Sequence, residues 1–156
     1  MAQAPEGPSR AIRLTFSYGP DGVQLIARQT VAMQVPPSDD VAAAPPQAGL
    51  TAELRTTGDD TTFRRDLPDA IPRDSEVFEP EEEGGMHRAP VAPQSGVFTV
   101  LVPDDESAED LVLVLGTTDV PPSIARAMEG RLEAEGAEAQ ELARFPLREG
   151  GPGGNG

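Results

Sequence analysis

Alternating apolar and polar residues predict the first two strands of this chain. Polar residues separate Ile12, Leu14, Phe16 and Tyr18, which is the period of a strand with one buried face. Gly19-Pro20-Asp21-Gly22 follows with the composition of a tight turn. The alternation then resumes, so we predict a long second strand of a hairpin that presents one set of side chains to the core: Val23, Leu25, Ala27, Val31, Met33 and Val35.

Further strands are predicted along the rest of the chain. A second hairpin runs from Leu50 to Leu67, with its turn at Gly58-Asp59-Asp60. Shorter strands are predicted over 75–79, 87–92 and 141–147, and the last of these places Ala143, Phe145 and Leu147 on one face.

The run from Gly96 to Gly116 is the most apolar part of the chain. It consists of Gly-Val-Phe-Thr-Val-Leu-Val-Pro, an acidic break over 104–110, and Leu-Val-Leu-Val-Leu-Gly. Two such stretches, rich in Val and Leu and separated by turn-forming residues, are typical of adjacent buried strands.

One helix is predicted before the last strand. After Pro121-Pro122-Ser123, apolar residues recur at helical spacing, and we take Ser123 as the N-cap and Gly136 as the stop of a helix over 123–135. Its narrow apolar stripe consists of Ile124, Met128 and Leu132. Such a stripe either packs on its own domain or docks a partner.

These elements predict a mainly β chain, folded as an antiparallel two-sheet β-sandwich with one short helix before the last strand. The five phenylalanines fall in five different predicted strands, which would supply the bulk between two sheets. In outline the pattern resembles immunoglobulin-like and fibronectin-type sandwiches, although the chain has no Cys pair and no Trp. We predict one domain over 10–148, a disordered N-terminal segment over 1–9, and a flexible Gly-rich tail over 149–156.

Charge and composition narrow the classes of partner. The formal net charge is −15, and all 12 basic residues are Arg, so we expect neither nucleic-acid nor membrane binding. The chain has no Cys, and it has no apolar stretch near the roughly 20 residues of a membrane span. We therefore expect a soluble, cytoplasmic protein without a cofactor.

No motif supports an enzyme. His87 is the only His, and no Gly-x-Ser-x-Gly elbow accompanies it, so a small hydrolase that uses His87 is only an alternative. The many carboxylates lie in predicted turns, where they cap backbone groups. A weak calcium site is a second alternative, and a carbohydrate-binding sandwich is a third, although the chain lacks the Trp that would stack on sugars.

The sequence therefore favours a non-catalytic interaction or accessory module that binds a protein partner within a larger assembly. The predicted contacts are exposed strand edges, at 87–91 or 141–147, and the 123–135 helix. The candidate partner-binding residues are Ile124, Met128, Leu132, Arg55 and Arg64. Arg55 and Arg64 also fit the ordinary alternative of cross-strand charge pairs on a solvated face. Homo-oligomerisation is left open.

Overall fold

A computed structural model of the protein describes residues 10–44, Pro46, 48–72, 74–78, 86–90, 95–118, 120–128 and 139–148, with the backbone alone described over 74–78 and 86–90. The described chain contains nine strands and one short helix. They are β1 (Ala11–Gly19), β2 (Gly22–Val31), β3 (Ala48–Arg55), β4 (Thr61–Leu67), β5 (Asp74–Phe78), β6 (Met86–Pro90), β7 (Gly96–Pro103), β8 (Asp110–Thr117), α1 (Pro122–Ala125) and β9 (Ala139–Pro146).

Two antiparallel sheets make up most of the described chain. The first has the order β2-β1-β7 and the second has the order β4-β3-β8-β9, while β5 and β6 form a separate two-stranded sheet. The mainly β prediction, with antiparallel sheets and one short helix, is therefore confirmed. The predictions for 1–9 and 149–156 lie outside the described residues.

Side chains from both large sheets belong to one hydrophobic core. β1 and β7 contribute alternate residues such as Leu14, Phe16 and Val100, and β3 and β8 contribute residues such as Leu54 and Leu113. The ring of Phe16 lies 5.2 Å from that of Phe98 and 5.1 Å from that of Phe145, so it contacts aromatic rings of both sheets. Phe63 is also buried, whereas the side chain of Phe78 is not described.

The first hairpin forms as predicted, but its second strand changes face. Gly19 pairs with Gly22 across the turn, where a φ of 108° at Gly22 requires glycine. Thr15 pairs with Ala27 and Phe16 with Leu25, so Ile26 is an extra residue that forms a β-bulge.

The bulge reverses the alternation along β2. Beyond it, Arg28 pairs with the core residue Leu14, and β2 ends at Val31. Met33 lies outside the strand with 42% of its surface exposed. The prediction that Ala27, Val31 and Met33 share the core face is therefore wrong, whereas Val35 does pack against the core. The alternation of apolar and polar residues does not reveal a bulge in a strand whose side chains are mostly exposed, because no buried face then fixes the period.

The apolar run over 96–116 does form two buried strands, but they belong to different sheets. β7 pairs with β1, and β8 pairs with β3. The acidic break between them carries the chain from one sheet to the other. Within it, the Asp105 carboxylate accepts hydrogen bonds from the backbone N–H and hydroxyl of Ser107 at 2.8 and 2.7 Å. Asp105 thus has the turn-capping role that we predicted for the loop carboxylates.

The described helix begins earlier than the predicted one, and residues 129–135 of that prediction lie outside the described residues. α1 spans Pro122–Ala125, with Pro121 in the N-cap position, so the prediction of Ser123 as N-cap is wrong. Ser123 is buried inside the helix, and its hydroxyl has no hydrogen-bond partner among the described residues. Two prolines before it place the N-cap two residues earlier, since proline is well suited to the first helical position. In the described residues, no helix is long and apolar enough to span a membrane.

Candidate functional site: the free edge of β7

The predicted apolar stripe lies in the core of the domain. Ile124 and Met128 are both 0% exposed, and both belong to the hydrophobic core. The backbone N–H of Met128 donates to the carbonyl oxygens of Ile124 and Ala125, which continues the helical turn beyond α1. Leu132 lies outside the described residues. In this conformation Ile124 and Met128 pack on their own domain and offer no surface for docking.

The two candidate arginines hold one buried carboxylate between them. Arg64 donates to Oε1 of Glu53 from Nε at 3.2 Å and from Nη2 at 2.9 Å. Arg55 donates to Oε2 from Nε at 2.9 Å, and its Nη2 also contacts that oxygen. Glu53 is 1% exposed and Arg64 is 5% exposed.

The cross-strand pairing of Glu53 with Arg64 is present in the register of β3 and β4, but the predicted solvated face is wrong for this pair. Loop residues cover it: Nη1 of Arg64 donates to the carbonyl oxygens of Asp40 at 2.9 Å and Ala43 at 2.7 Å. A buried ion pair needs such additional hydrogen bonds to offset desolvation.

Residues 36–43, which we call the covering segment, also seal the outer edge of β4. The backbone N–H of Asp39 donates to the carbonyl oxygen of Arg64, and the N–H of Arg64 donates to Oγ of Ser38, both at 2.9 Å. The N–H of Asp66 donates to the Asp39 carboxylate at 2.9 Å. The covering segment thus occupies three of the polar backbone groups that β4 would otherwise expose as an edge strand, at Arg64 and Asp66.

β2 and β9 differ from β4, because each of these edge strands contains a β-bulge and at least one charged residue. β2 carries the bulge at Ile26 and has Arg28 on its core-side register. In β9, Leu113 pairs with Ala143 and Val114 with Glu141, so Leu142 is the extra residue. Bulges and charges are devices that prevent one edge strand from pairing with another chain.

β7 has neither a bulge nor a charge. Its register with β1 is unbroken from Tyr18↔Gly96 to Ala11↔Pro103, and its sequence is Gly-Val-Phe-Thr-Val-Leu-Val-Pro, with proline only at the last position. β1 is its only strand neighbour in the described chain, and no loop backbone hydrogen bond there reaches 96–102. Val97 is 59% exposed, and Thr99 is also exposed. An uncharged and regular edge strand is a template for strand pairing.

β1 supports the other side of this edge. Tyr18 pairs with Gly96, and its ring lies where a Cβ on Gly96 would be, so only glycine fits there. On the solvent face, Val97 and Thr99 pair with Ser17 and Thr15, which are also uncharged. The strands β1, β2 and β7 contain no Asp or Glu, although the chain has 27 acidic residues. This sheet is therefore a region of low negative charge on an acidic protein.

A charged cluster lies elsewhere, where the β3–β4 turn approaches β9. Arg144 donates to Asp59 at 3.0 Å, Asp110 at 3.2 Å and Glu141 at 2.9 Å. The hydrogen bond from Arg144, helped by the charge of Arg55, lowers the pKa of Asp59 and outweighs the opposing effect of desolvation. The three carboxylates raise the pKa of Arg144. The cluster is a surface ion-pair network in which each of the three carboxylates is already paired with Arg144.

Of the alternatives considered from sequence, the calcium site has no assembled group of ligands in the described part of the chain. There, no group of three or more His, Cys, Asp or Glu side chains could hold a metal ion. His87 lies in β6, paired in register with Val77, and its side chain is not described.

The sequence predicts β7 as a buried strand and does not single it out for docking. The predicted docking edges are those at 87–91 and 141–147. The first corresponds to β6 of the small sheet, and the second to the edge strand β9. The available signal was an eight-residue strand without a charged side chain, since each of the other described strands contains at least one Asp, Glu or Arg.

Comparisons with known proteins give no match: no family model, no curated protein and no solved structure is significantly similar to this chain.

Proposed function

We propose that this protein is a non-catalytic interaction module, and that it binds an extended segment of a partner protein along the free edge of β7. In this mode the partner segment becomes a further strand of the β2-β1-β7 sheet, and main-chain hydrogen bonds supply much of the affinity. The observation that carries the proposal is the contrast among the four edges of the two large sheets: within the described chain, β7 alone has neither a bulge, a charge nor a covering segment.

The proposed architecture is an antiparallel β-sandwich, immunoglobulin-like in outline. The shared core and the contact of Phe16 with rings from both sheets support face-to-face packing. A rigid core of this kind would hold β7 in place while its edge stays open. The accessory role in a larger assembly and the cytoplasmic location belong to the same proposal.

Alternating side chains would give the docking site its specificity. An added strand would place every second side chain beside Val97 and Thr99 on the solvent face, where no acidic residue lies within the three strands. We therefore expect the partner segment to carry β-branched or other uncharged residues at these positions.

The test is photo-crosslinking from a defined position on the edge. A photoreactive amino acid replaces Thr99 in one variant and Gln29 in the control, which is also exposed but lies on the bulged strand β2. After irradiation in an extract of the source organism, mass spectrometry maps the crosslinked peptide, and that peptide is then synthesised and titrated against the purified protein.

The proposal predicts crosslinks from position 99 to one strand-forming segment, direct binding of the synthetic segment, and loss of that binding in Val97→Lys. Equal crosslinking from positions 29 and 99, or a synthetic segment that binds Val97→Lys as well as the native protein, would contradict it.

A further inference from the structure

We propose that the free edge of β7 also pairs with β7 of a second copy of this chain, and so forms a symmetric dimer with a continuous six-stranded sheet. In a two-fold dimer of this kind, each edge residue meets residues of the same strand. A charged strand would therefore place like charges near one another, and β7 contains none. The inference shares its edge with the proposed function but requires no other protein.

The alternation of β7 restricts the register. A two-fold axis perpendicular to the sheet keeps the solvent face of one copy beside the solvent face of the other, so paired positions must have the same parity. With the axis at Thr99, Thr99 meets its own copy, Val97 meets Leu101, and Phe98 meets Val100. Thr–Thr and aromatic–β-branched pairs of this kind stabilise antiparallel strands.

The neighbouring registers fit less well. An axis at Val100 would bring Pro103 into the ladder opposite Val97, where proline has no N–H to donate. An axis at Phe98 would place Gly96, which already lies under the ring of Tyr18, opposite Val100 and would extend the pairing beyond the strand to Ser95. The Thr99 register uses 96–102 without Pro103.

The net charge of the chain favours this edge over other surfaces for self-association, but it also weakens the dimer. Two copies each carry −15, so they approach with least repulsion through the sheet whose strands contain no Asp or Glu. A single strand edge offers less than the roughly 800 Å² per partner of a standard interface, so the dimer is weak and reversible. Since salt screens the repulsion between copies, dimerisation strengthens as ionic strength rises.

Charge-swap variants test the axis directly. Sedimentation equilibrium is measured between about 1 μM and about 1 mM for the native chain, for Thr99→Lys, for Thr99→Asp and for an equimolar mixture of the two variants. Gln29→Lys and Gln29→Asp are the matched controls, because Gln29 is exposed on the same sheet but lies on β2. Circular dichroism verifies that each variant is folded.

We expect the native chain to form a dimer whose affinity rises with salt concentration. Each single Thr99 variant should dimerise at least about fivefold more weakly, because like charges then lie opposite each other. The mixture restores a heterodimer, since the lysine introduced in one copy then faces the aspartate introduced in the other, and the Gln29 variants behave like the native chain. A native chain that stays monomeric at about 1 mM overturns the inference, and so does a mixture no tighter than its components. Either result leaves the proposed function to its crosslinking test, which detects a different protein at position 99.

Discussion

β4 and β7 are both edge strands, yet their outer edges are in opposite states. Along β4, the covering segment occupies the backbone groups of Arg64 and Asp66. Along β7, no loop backbone hydrogen bond within the described chain reaches 96–102. The difference follows from side chains: Arg64 and Glu53 anchor the segment on β4, whereas β7 has no charged residue that could anchor one. Whether an edge is covered thus depends on the side chains with which its own strand can hold a neighbouring segment.

The largest expected effect comes from breaking the sealed edge at its anchor. Arg64→Met removes one of the two arginine partners of buried Glu53 and releases the carbonyl oxygens of Asp40 and Ala43. We expect a loss of about 2–4 kcal/mol in the free energy of unfolding, because several buried hydrogen bonds are lost and only Arg55 still compensates the charge of Glu53. Urea unfolding measures it.

The neighbouring arginine is the control for that variant. Arg65 is only partly buried, donates to the carbonyl oxygen of Pro36 at 2.7 Å and lies over the ring of Phe63. Arg65→Met should cost about 1 kcal/mol. The double variant Glu53→Met/Arg64→Met should recover much of the loss of the single one. Equal losses for Arg64→Met and Arg65→Met would show that the buried pair is not the anchor.

The contact between β7 and β1 at the start of β7 is tested at Gly96. Gly96→Val places a side chain where the ring of Tyr18 lies, so the ring or the two strands must shift. We expect a loss of about 1–3 kcal/mol in the free energy of unfolding, as for other overpacked sites. Thermal unfolding measures it, and adding Tyr18→Ser should reduce the cost of the valine. If the valine costs the same with and without Tyr18, the ring does not fix this end of β7.

A smaller effect is expected from loosening the seal without removing its anchor. Ser38→Ala deletes the oxygen that accepts the N–H of Arg64 and donates to the carbonyl oxygen of Asp39 at 2.7 Å. The free energy of unfolding should fall by about 0.5–1.5 kcal/mol. The amide of Arg64 should also exchange faster in hydrogen-exchange experiments. Unchanged exchange at Arg64 would mean that Ser38 does not seal β4.

The smallest effect lies at the turn between β3 and β4, where Asp59 meets Arg144. The folded-state pKa of Asp59 is lowered from 3.8, so its contribution to stability is present above that pH and is lost as the pH falls through the folded pKa. Asp59→Asn keeps a residue that tolerates the φ of 65° at this position. The variant should be slightly less stable than the native chain at neutral pH and equal to it in acid. A difference that persists in acid would assign the effect to the backbone of the turn.

Local patterns sufficed for much of this fold. Alternation and turn residues predicted the hairpin at Gly19–Gly22 and the turn at Gly58-Asp59-Asp60, because strand period and turn chemistry are set by neighbouring residues. The bulge at Ile26 could not be predicted in this way, since it depends on which residue of β1 lies opposite.

The candidate site depended on contacts between distant parts of the chain. The sequence placed Arg64 beside Glu53, but it could not show that residues 36–43 would cover them. Likewise, Ile124 and Met128 form a helical stripe whether they pack inward or outward, and only the tertiary structure shows them in the core. The edge of β7 became a candidate only when the order β2-β1-β7 placed it at the end of a sheet.

The open edge of β7 is tested most directly by residue-resolved hydrogen exchange at a concentration where sedimentation equilibrium shows only monomer. The account predicts alternation along 96–102, with slow exchange for amides that face β1 and fast exchange for those that face outward. In the same experiment, the amides of Arg64 and Asp66 on β4 should both be slow, because Ser38 and Asp39 accept their hydrogen bonds. Uniformly slow exchange along β7 in the monomer would show that its edge is already covered, and would contradict the account.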